Sequence, residues 1–327
     1  MTKTELIHPR TDAEMTGVLG PPGVRVLGGG TDLVPNRAWG LMSDATWAVL
    51  AKVPGTRTIG SDSVGRWEVG AAVTLSTVLA HPELCRLYPL WTEAIRSVAT
   101  PEIRMQATVG GNLCVDTRCR YRNQPSIWRS GLAPCFKSGG DRCYAAPASR
   151  QCVAMLVSDT APALIALGAE VAIEGPVPRW IPVSDLYSGD GDHHLTLDPG
   201  DWVRAVRLPA IPPIGVFHKW RPRATMDFPE VDVAVTVVPG REPRIVRIVL
   251  SAVGPAPIRV TAAETALATG PWTSERLLEA ASQARAAVHP YDNGQLGVIG
   301  RQLAVRGLVY QALMTLSATV FEKEAQG

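Results

Sequence analysis

Val26-Leu27-Gly28-Gly29-Gly30-Thr31-Asp32-Leu33 is the stretch on which the reading of this chain turns. Val24 to Leu27 is a short, apolar, β-branched run, so it reads as a strand that the glycines end sharply. Successive glycines let the backbone approach a ligand and aim several N–H groups at one point, which is how an uncharged loop holds a phosphate. Thr31 adds a hydroxyl donor. The same residues also suit a tight turn with a helix cap at Thr31 or Asp32. A Rossmann fingerprint is excluded, because no third glycine follows Gly30 at the required offset. A second break, Thr108-Val109-Gly110-Gly111-Asn112-Leu113, repeats the pattern of a strand end, two glycines and small polar side chains. Two such turns in one domain predict a two-sided grip on a pyrophosphate.

Around these turns the first segment reads as small α/β units. Thr46 to Ala51 and Trp67 to Ala72 are strand candidates, and Leu75 to Leu79 and Pro89 to Val98 have helical spacing. Thr160 to Leu167 reads as a helix stopped by Gly168, followed by a strand over Ala169 to Ile173. Trp202 to Leu208 alternates like a strand, and Pro209 to Pro213 reads as an interdomain connector. Strands at Val233 to Val238 and Arg244 to Ala252 then precede helices at Ala262 to Ala268, Ser274 to Ala287 and Val298 to Thr315. That order predicts a separate α+β domain.

Composition narrows the function classes. The chain has 327 residues, 46% of them hydrophobic in type, enough for a buried core and more than one domain. Lys plus Arg total 32 against 30 Asp plus Glu, which argues against bulk nucleic-acid binding. No apolar run is long enough for a membrane helix. Met1 to Leu6 shows no secretory leader, so a cytoplasmic location is expected. No Ser-His-Asp set and no zinc-hydrolase motif is visible, and no residue is given a catalytic role.

A cytosol does not favour structural disulfides, so the six cysteines need another explanation. Five lie between 114 and 152. Arg118 to Arg150 carries six Arg and one Lys against a single Asp, with little apolar periodicity. A loop this long is expected to be ordered by function or by a cross-link. Cys119, Cys135, Cys143 and Cys152 suit a [4Fe–4S] cluster or a zinc ion. The absence of a close Cys pair weakens zinc, and the spacing also departs from ferredoxin runs. Cys114 is expected beside the second glycine turn and Cys85 as an inert thiol in a helix. His193-His194, in a Gly/Asp-rich loop, is expected to be solvated surface.

The ordered set of motifs resembles the FAD-binding medium subunit of the xanthine oxidase family of molybdenum hydroxylases. The residues that carry the resemblance are Gly29 to Leu33, Ile103-Arg104, Thr108 to Leu113, Asp159 to Leu164, Ala166 to Ala169, Phe217 to Arg221, Asp227 and Gly254 to Arg259. They span nearly the whole chain. The resemblance implies an α+β fold: an FAD-binding domain over 1–213, with subdomains of about 1–55 and 56–213, then a smaller C-terminal α+β domain over 214–327. It implies FAD contacts at Val26, Leu27, Gly28, Gly29, Gly30, Thr31, Asp32 and Leu33, and at Thr108, Val109, Gly110, Gly111 and Asn112. It matches Asp159 to the acidic position that holds ribityl or ribose hydroxyls, with an N-cap as the other role open to it. It also matches Lys219 to a lysine near the flavin, and more weakly Val98 and Val203 to the pocket lining.

Most medium subunits of this family lack a cysteine-rich stretch. The insert over about 115–155 resembles that of the β subunit of 4-hydroxybenzoyl-CoA reductase, through Asp116 to Cys119, Trp128-Arg129, Cys135, Cys143, Ala146-Pro147 and Cys152. That resemblance implies a [4Fe–4S] cluster on Cys119, Cys135, Cys143 and Cys152 beside the FAD. It implies a heterohexamer with a molybdopterin-bearing large subunit and a small subunit with [2Fe–2S] clusters. Ferredoxin would supply electrons for dehydroxylation of 4-hydroxybenzoyl-CoA in aromatic degradation. A hydroxylase of another aromatic or N-heterocyclic substrate is the alternative.

Overall fold

The computed structural model describes residues 4–43, 46–238 and 243–324. Met1 to Lys3, part of the stretch on which the leader reading rests, lie outside them. The chain begins with β1 (Glu5–Ile7), α1 (Asp12–Leu19), β2 (Val24–Leu27), α2 (Leu33–Ala38) and β3 (Thr46–Val49). The three strands are parallel in the order β1-β3-β2. Parallel neighbours need a crossover, which the two helices supply. Thr11 starts α1 by accepting the Glu14 N–H at 3.1 Å.

A five-stranded antiparallel sheet follows. It contains β4 (Ile59–Ser61), β5 (Trp67–Gly70), β6 (Glu170–Glu174), β7 (Arg179–Pro182) and β8 (Trp202–Leu208), in the order β4-β5-β8-β6-β7. Between β5 and β6 run α3 (Leu75–Leu79), α4 (Pro82–Leu87), α5 (Pro89–Ser97), α6 (Pro101–Arg104), α7 (Val109–Leu113), α8 (Ser126–Arg129) and α9 (Thr160–Leu167). Proline opens α4, α5 and α6, where its fixed φ suits the first turn and its missing N–H leaves no bond unmade. Every residue of α9 is buried, and Gly168, at φ +75°, ends it.

The third sheet is antiparallel, with β9 (Ile214–Trp220), β10 (Val231–Val238), β11 (Ile245–Ser251) and β12 (Ile258–Arg259) in the order β12-β11-β10-β9. Then come α10 (Thr261–Leu267), α11 (Ser274–Ala286) and α12 (Gly297–Glu324). Alternation along β10 splits its side chains between two cores. Val231, Val233, Val235 and Val237 pack with Leu277, Ala280, Val305 and Val309 of α11 and α12. Ala234 joins Phe217, Val249 and the helices of the first domain, and Thr236 Oγ1 donates to Ala166 O of α9 at 2.9 Å. The sheet is thus a wall covered on both faces, which explains its nearly unbroken apolar sequence.

The regular elements expected near the first glycine turn, at α5, α9, β8, β10 and β11 are present. Strand β9 was not among the expected elements, because Gly215, His218 and Lys219 interrupt its apolar run; pairing with β10 overrides that weak local preference. The second glycine break is not a strand end. Thr108 is the N-cap of α7, and Gly110 and Gly111 lie inside that helix. A capping hydroxyl outweighs the low helix propensity of glycine over so short a helix.

Candidate functional site

The two glycine turns pack directly on each other. A Cβ on Gly29 would stand 1.7 Å from Gln106 O, and one on Gly28 would stand 2.6 Å from Thr108 Oγ1. Only glycine lets the backbones approach this closely. Their donors differ. In α7 the amides are spent: Val109 N donates to Val73 O, Gly110 N to Ala71 O, Gly111 N to Thr108 Oγ1 and Asn112 N to Thr108 O. In the first turn, among the described residues, the N–H groups of Gly29, Gly30 and Thr31 meet no acceptor. Gly30 has φ +73°, and Thr31 is exposed. The turn therefore keeps uncommitted backbone donors, the arrangement that an anion needs. Of the two turns expected to grip a pyrophosphate, the uncommitted backbone donors thus lie in the first, and the Thr108–Asn112 turn packs against it.

Asn112 carries the support onward. Its Oδ1 accepts from Ser158 Oγ at 2.9 Å, Thr160 Oγ1 at 2.6 Å and Thr160 N at 3.3 Å. These bonds fix the residues on either side of Asp159. Asp159 occupies the N-cap position of α9, but its side chain caps nothing. It instead meets Lys219 Nζ of β9 at 2.6 Å, with both side chains 4% exposed. Lys219 also donates to Ser97 O at 3.1 Å, as does Arg221 at 2.8 Å. Burial pushes the Asp159 carboxyl upward, against the pull of Lys219 and Arg221. The capping role is therefore set aside, and Lys219 is a buried ion-pair partner rather than a solvated cation. Val98 and Val203 are both buried in the first core.

The insert is irregular apart from α8 and a single 3-10 turn at Phe136–Ser138. Its basic residues mostly anchor it to other parts of the chain. Arg118 pairs with Asp32 of the first glycine turn. Arg122 donates to Leu41 O, and Arg129 donates to Trp39 O and Gly40 O, both at 3.0 Å. Arg120 N donates to Asn293 O, and its guanidinium meets Asp292 at 2.8 Å, tying the insert to the C-terminal domain. Lys137 is bonded to Asp116 Oδ1 at 2.6 Å, Gly191 O at 3.1 Å and Thr117 Oγ1.

Cys119, Cys135, Cys143 and Cys152 line one small cavity together with Arg122, Lys137 and Arg142. Among the described residues, no three Cys, His, Asp or Glu side chains close up tightly enough to hold a metal ion, although the four cysteines line one cavity. Burial pushes the Cys152 thiol up to about 12 and raises Cys119 as well. A neighbouring hollow of about 360 Å³, lined by Tyr121, Arg122, Arg129, Cys135 and Tyr144, lies on the Cys135 side.

Cys114 stands at the C-cap of α7 and does not line the cavity; burial pushes its thiol up to about 12. Cys85 lies in α4 and donates to Leu79 O at 3.3 Å. His193 is exposed, as expected. His194 is not solvated surface. Burial, then the Lys137 charge, depress its pKa to about 4 against the opposing pull of Asp116. The loop folds back under the insert through Gly191 O, which a Gly/Asp-rich sequence does not reveal.

Residues 2–211 match the family described as the FAD binding domain in molybdopterin dehydrogenase, and residues 217–316 match the CO dehydrogenase flavoprotein C-terminal domain. The chain is 32% identical over 262 residues to the aldehyde oxidoreductase FAD-binding subunit PaoB of Escherichia coli K12, covering 76% of this chain and 80% of that one. It is 25% identical over 214 residues to the carbon monoxide dehydrogenase medium chain of Afipia carboxidovorans, covering 64% of this chain and 59% of that one. Among solved structures, CO dehydrogenase from Oligotropha carboxidovorans superposes with TM-score 0.77 at 20% identity, covering 97% of this chain and 99% of that chain. Quinoline 2-oxidoreductase from Pseudomonas putida 86 gives TM-score 0.75 at 18% identity, covering 97% and 98%. With an FAD-binding domain followed by a CO dehydrogenase flavoprotein C-terminal domain, and with that likeness to an aldehyde oxidoreductase subunit, the chain belongs to the FAD-binding medium subunits of the molybdenum hydroxylase family, of the CO dehydrogenase and aldehyde oxidoreductase type.

Proposed function

We propose that this chain is the electron-transfer subunit of a molybdenum enzyme and carries FAD together with a [4Fe–4S] cluster. The observation that carries the cluster is the convergence of Cys119, Cys135, Cys143 and Cys152, separated by up to 33 positions in sequence, on one cavity. A four-iron cluster spaces its thiolates more widely than a single tetrahedral ion, so four cysteines that line one cavity without closing on a point suit it better than zinc. Arg122, Lys137 and Arg142 on the same cavity offset the charge of four thiolates. The cluster adds to what medium subunits of this family share.

FAD, when bound, supplies exchange of one or two electrons. The chain's own residues position it. Val26 to Leu33 present the backbone donors for its pyrophosphate, Thr108 to Asn112 brace that turn, and Asp159 accepts the cofactor's hydroxyls. Lys219 places a cation beside the ring, and Val98 and Val203 back the pocket. The Asp32–Arg118 pair joins the glycine turn to the residue before Cys119, so the two cofactor sites are mechanically linked. The partners would be a molybdenum-binding large subunit and a small [2Fe–2S] subunit.

Two readings of the reaction follow different observations. The likeness of the insert to that of 4-hydroxybenzoyl-CoA reductase supports electrons entering from ferredoxin for reductive dehydroxylation. The identity with an aldehyde oxidoreductase subunit supports the opposite flow, from an oxidised substrate outward. Turnover by the assembled complex separates them. No dehydroxylation of 4-hydroxybenzoyl-CoA with a low-potential donor, alongside oxidation of an aldehyde or N-heterocycle, would leave only the second. For the cofactors, anaerobically purified chain should hold about four irons, about four sulfides and one FAD, with an EPR signal on reduction by dithionite. Zinc at one per chain without iron would remove the cluster.

A further inference from the structure

Asp232 is a fully buried carboxylate that the cofactor contacts above do not use. It is 0% exposed, and neither of its oxygens meets a hydrogen-bond partner. It stands in register between Lys219 on β9 and Ser251 on β11, and the Ser251 hydroxyl is also buried without a partner. Ala234, one step along the same face of β10, packs into the first core, so Asp232 points toward the FAD-binding domain. Lys219 and Arg221 face it from β9, Ser251 from β11 and Asp159 from the start of α9, which Ser97 at the end of α5 also approaches. Glu230, two residues earlier, is already committed to Arg301 at 3.1 Å.

Two buried carboxylates thus share one lysine, and the lysine sits on Asp159. An ionised carboxylate with no hydrogen bond is costly in a dry interior, so Asp232 keeps its proton while Lys219 is engaged elsewhere. Its carboxyl is held well above the usual range by burial first and by Asp159 second. Directly opposed residues on neighbouring strands stand about 5 Å apart, so a change of lysine rotamer brings the ammonium to Asp232 without moving the backbone.

We propose that Asp232 is a positioning residue that makes FAD binding proton-coupled: as cofactor hydroxyls take over Asp159, Lys219 transfers to Asp232, which ionises and releases one proton to solvent. No electron moves in this step. The inference rests on the reading of Asp159 as the hydroxyl-binding residue. Without FAD, the Lys219 ammonium satisfies Asp159. With FAD, the same ammonium satisfies Asp232. Because the carboxyl pKa falls on binding, affinity rises with pH between the bound-state and free-state values.

The test uses the full chain with FAD removed and titrated back, followed by quenching of flavin fluorescence across about pH 5 to 9. The expected result is an affinity that rises by up to about tenfold per pH unit within the window, with release of up to about one proton per FAD detected by an indicator dye in weak buffer. Asp232→Asn should flatten the profile and abolish the release. Should that variant not fold, wild-type infrared difference spectra are diagnostic: a carboxylic-acid carbonyl band should vanish as FAD binds. Binding without proton release or loss of that band overturns the proposal, as does Asp232→Asn releasing as much as wild type. Asp159→Asn separates the two failures. If it binds FAD like wild type, the reading of Asp159 fails. If it binds weakly while wild type releases no proton, only the lysine transfer fails.

Discussion

The glycine turns and the cysteine insert are neighbours joined by one ion pair, yet they are ordered by opposite means. The turns are held by backbone packed on backbone, with α7 and α9 spending their amides and side chains around a few uncommitted N–H groups. The insert has almost no regular structure and only marginal apolar packing. Long basic side chains reach out from it to carbonyls and carboxylates on both domains. A site made of close backbone approach cannot tolerate an added carbon. A site made of side-chain anchors can loosen gradually, and becomes rigid only when its thiols are cross-linked.

The largest effects should come from two complementary substitutions. Gly29→Ala drives a Cβ into Gln106 O and must part the turns, so FAD content should fall at least about tenfold while iron is retained. Cys135→Ser should do the reverse, losing iron while flavin absorbance persists, and Cys85→Ser should change neither. Metal and flavin analysis of the three proteins checks this; joint loss of both cofactors in either of the first two would break the contrast.

Lys137→Ala comes next. It removes the ammonium bonded to Asp116, Thr117 and Gly191. The expected destabilisation is about 2 kcal/mol, discounted from a fully buried pair because Asp116 stays partly exposed. Limited proteolysis should then cut within residues 118–150 before either domain core yields.

A smaller effect should appear as pH dependence. His194 has its pKa depressed from 6.5 to about 4, so the folded chain resists the proton that the unfolded chain accepts. Its contribution is full above the unfolded value and is lost as pH falls from about 6.5 toward about 4. Denaturant melts of His194→Phe should show a shallower decline over that window. Smallest of all is Arg142→Ala. Its pair with Asp141 is exposed, and melting should shift by less than about 0.5 kcal/mol. A larger shift would mean that Arg142 matters through the cysteine cavity instead.

The first glycine turn was legible in sequence because its chemistry is local: a strand end, three glycines and a following helix lie within eight residues. The second was legible as a motif but not as a structure. Whether Gly110 and Gly111 form an open turn or a capped helix depends on Ala71 and Val73, to which the amides of Gly110 and Val109 donate. The half-buried, desolvated state of His194 was hidden for the same reason, since Lys137 and Asp116 approach it from distant parts of the chain.

The sequence alone determined the α+β class, the FAD-binding resemblance and the composition of the insert, because periodicity, glycine clusters and cysteine spacing are written along the chain. Tertiary structure alone decided which turn keeps free donors, that four cysteines share one cavity, and that Lys219 pairs with Asp159 while Asp232 stands opposite it in the sheet. Those are questions of which polar groups find partners. In a folded interior, partners are assigned by strand register and domain packing rather than by sequence neighbours.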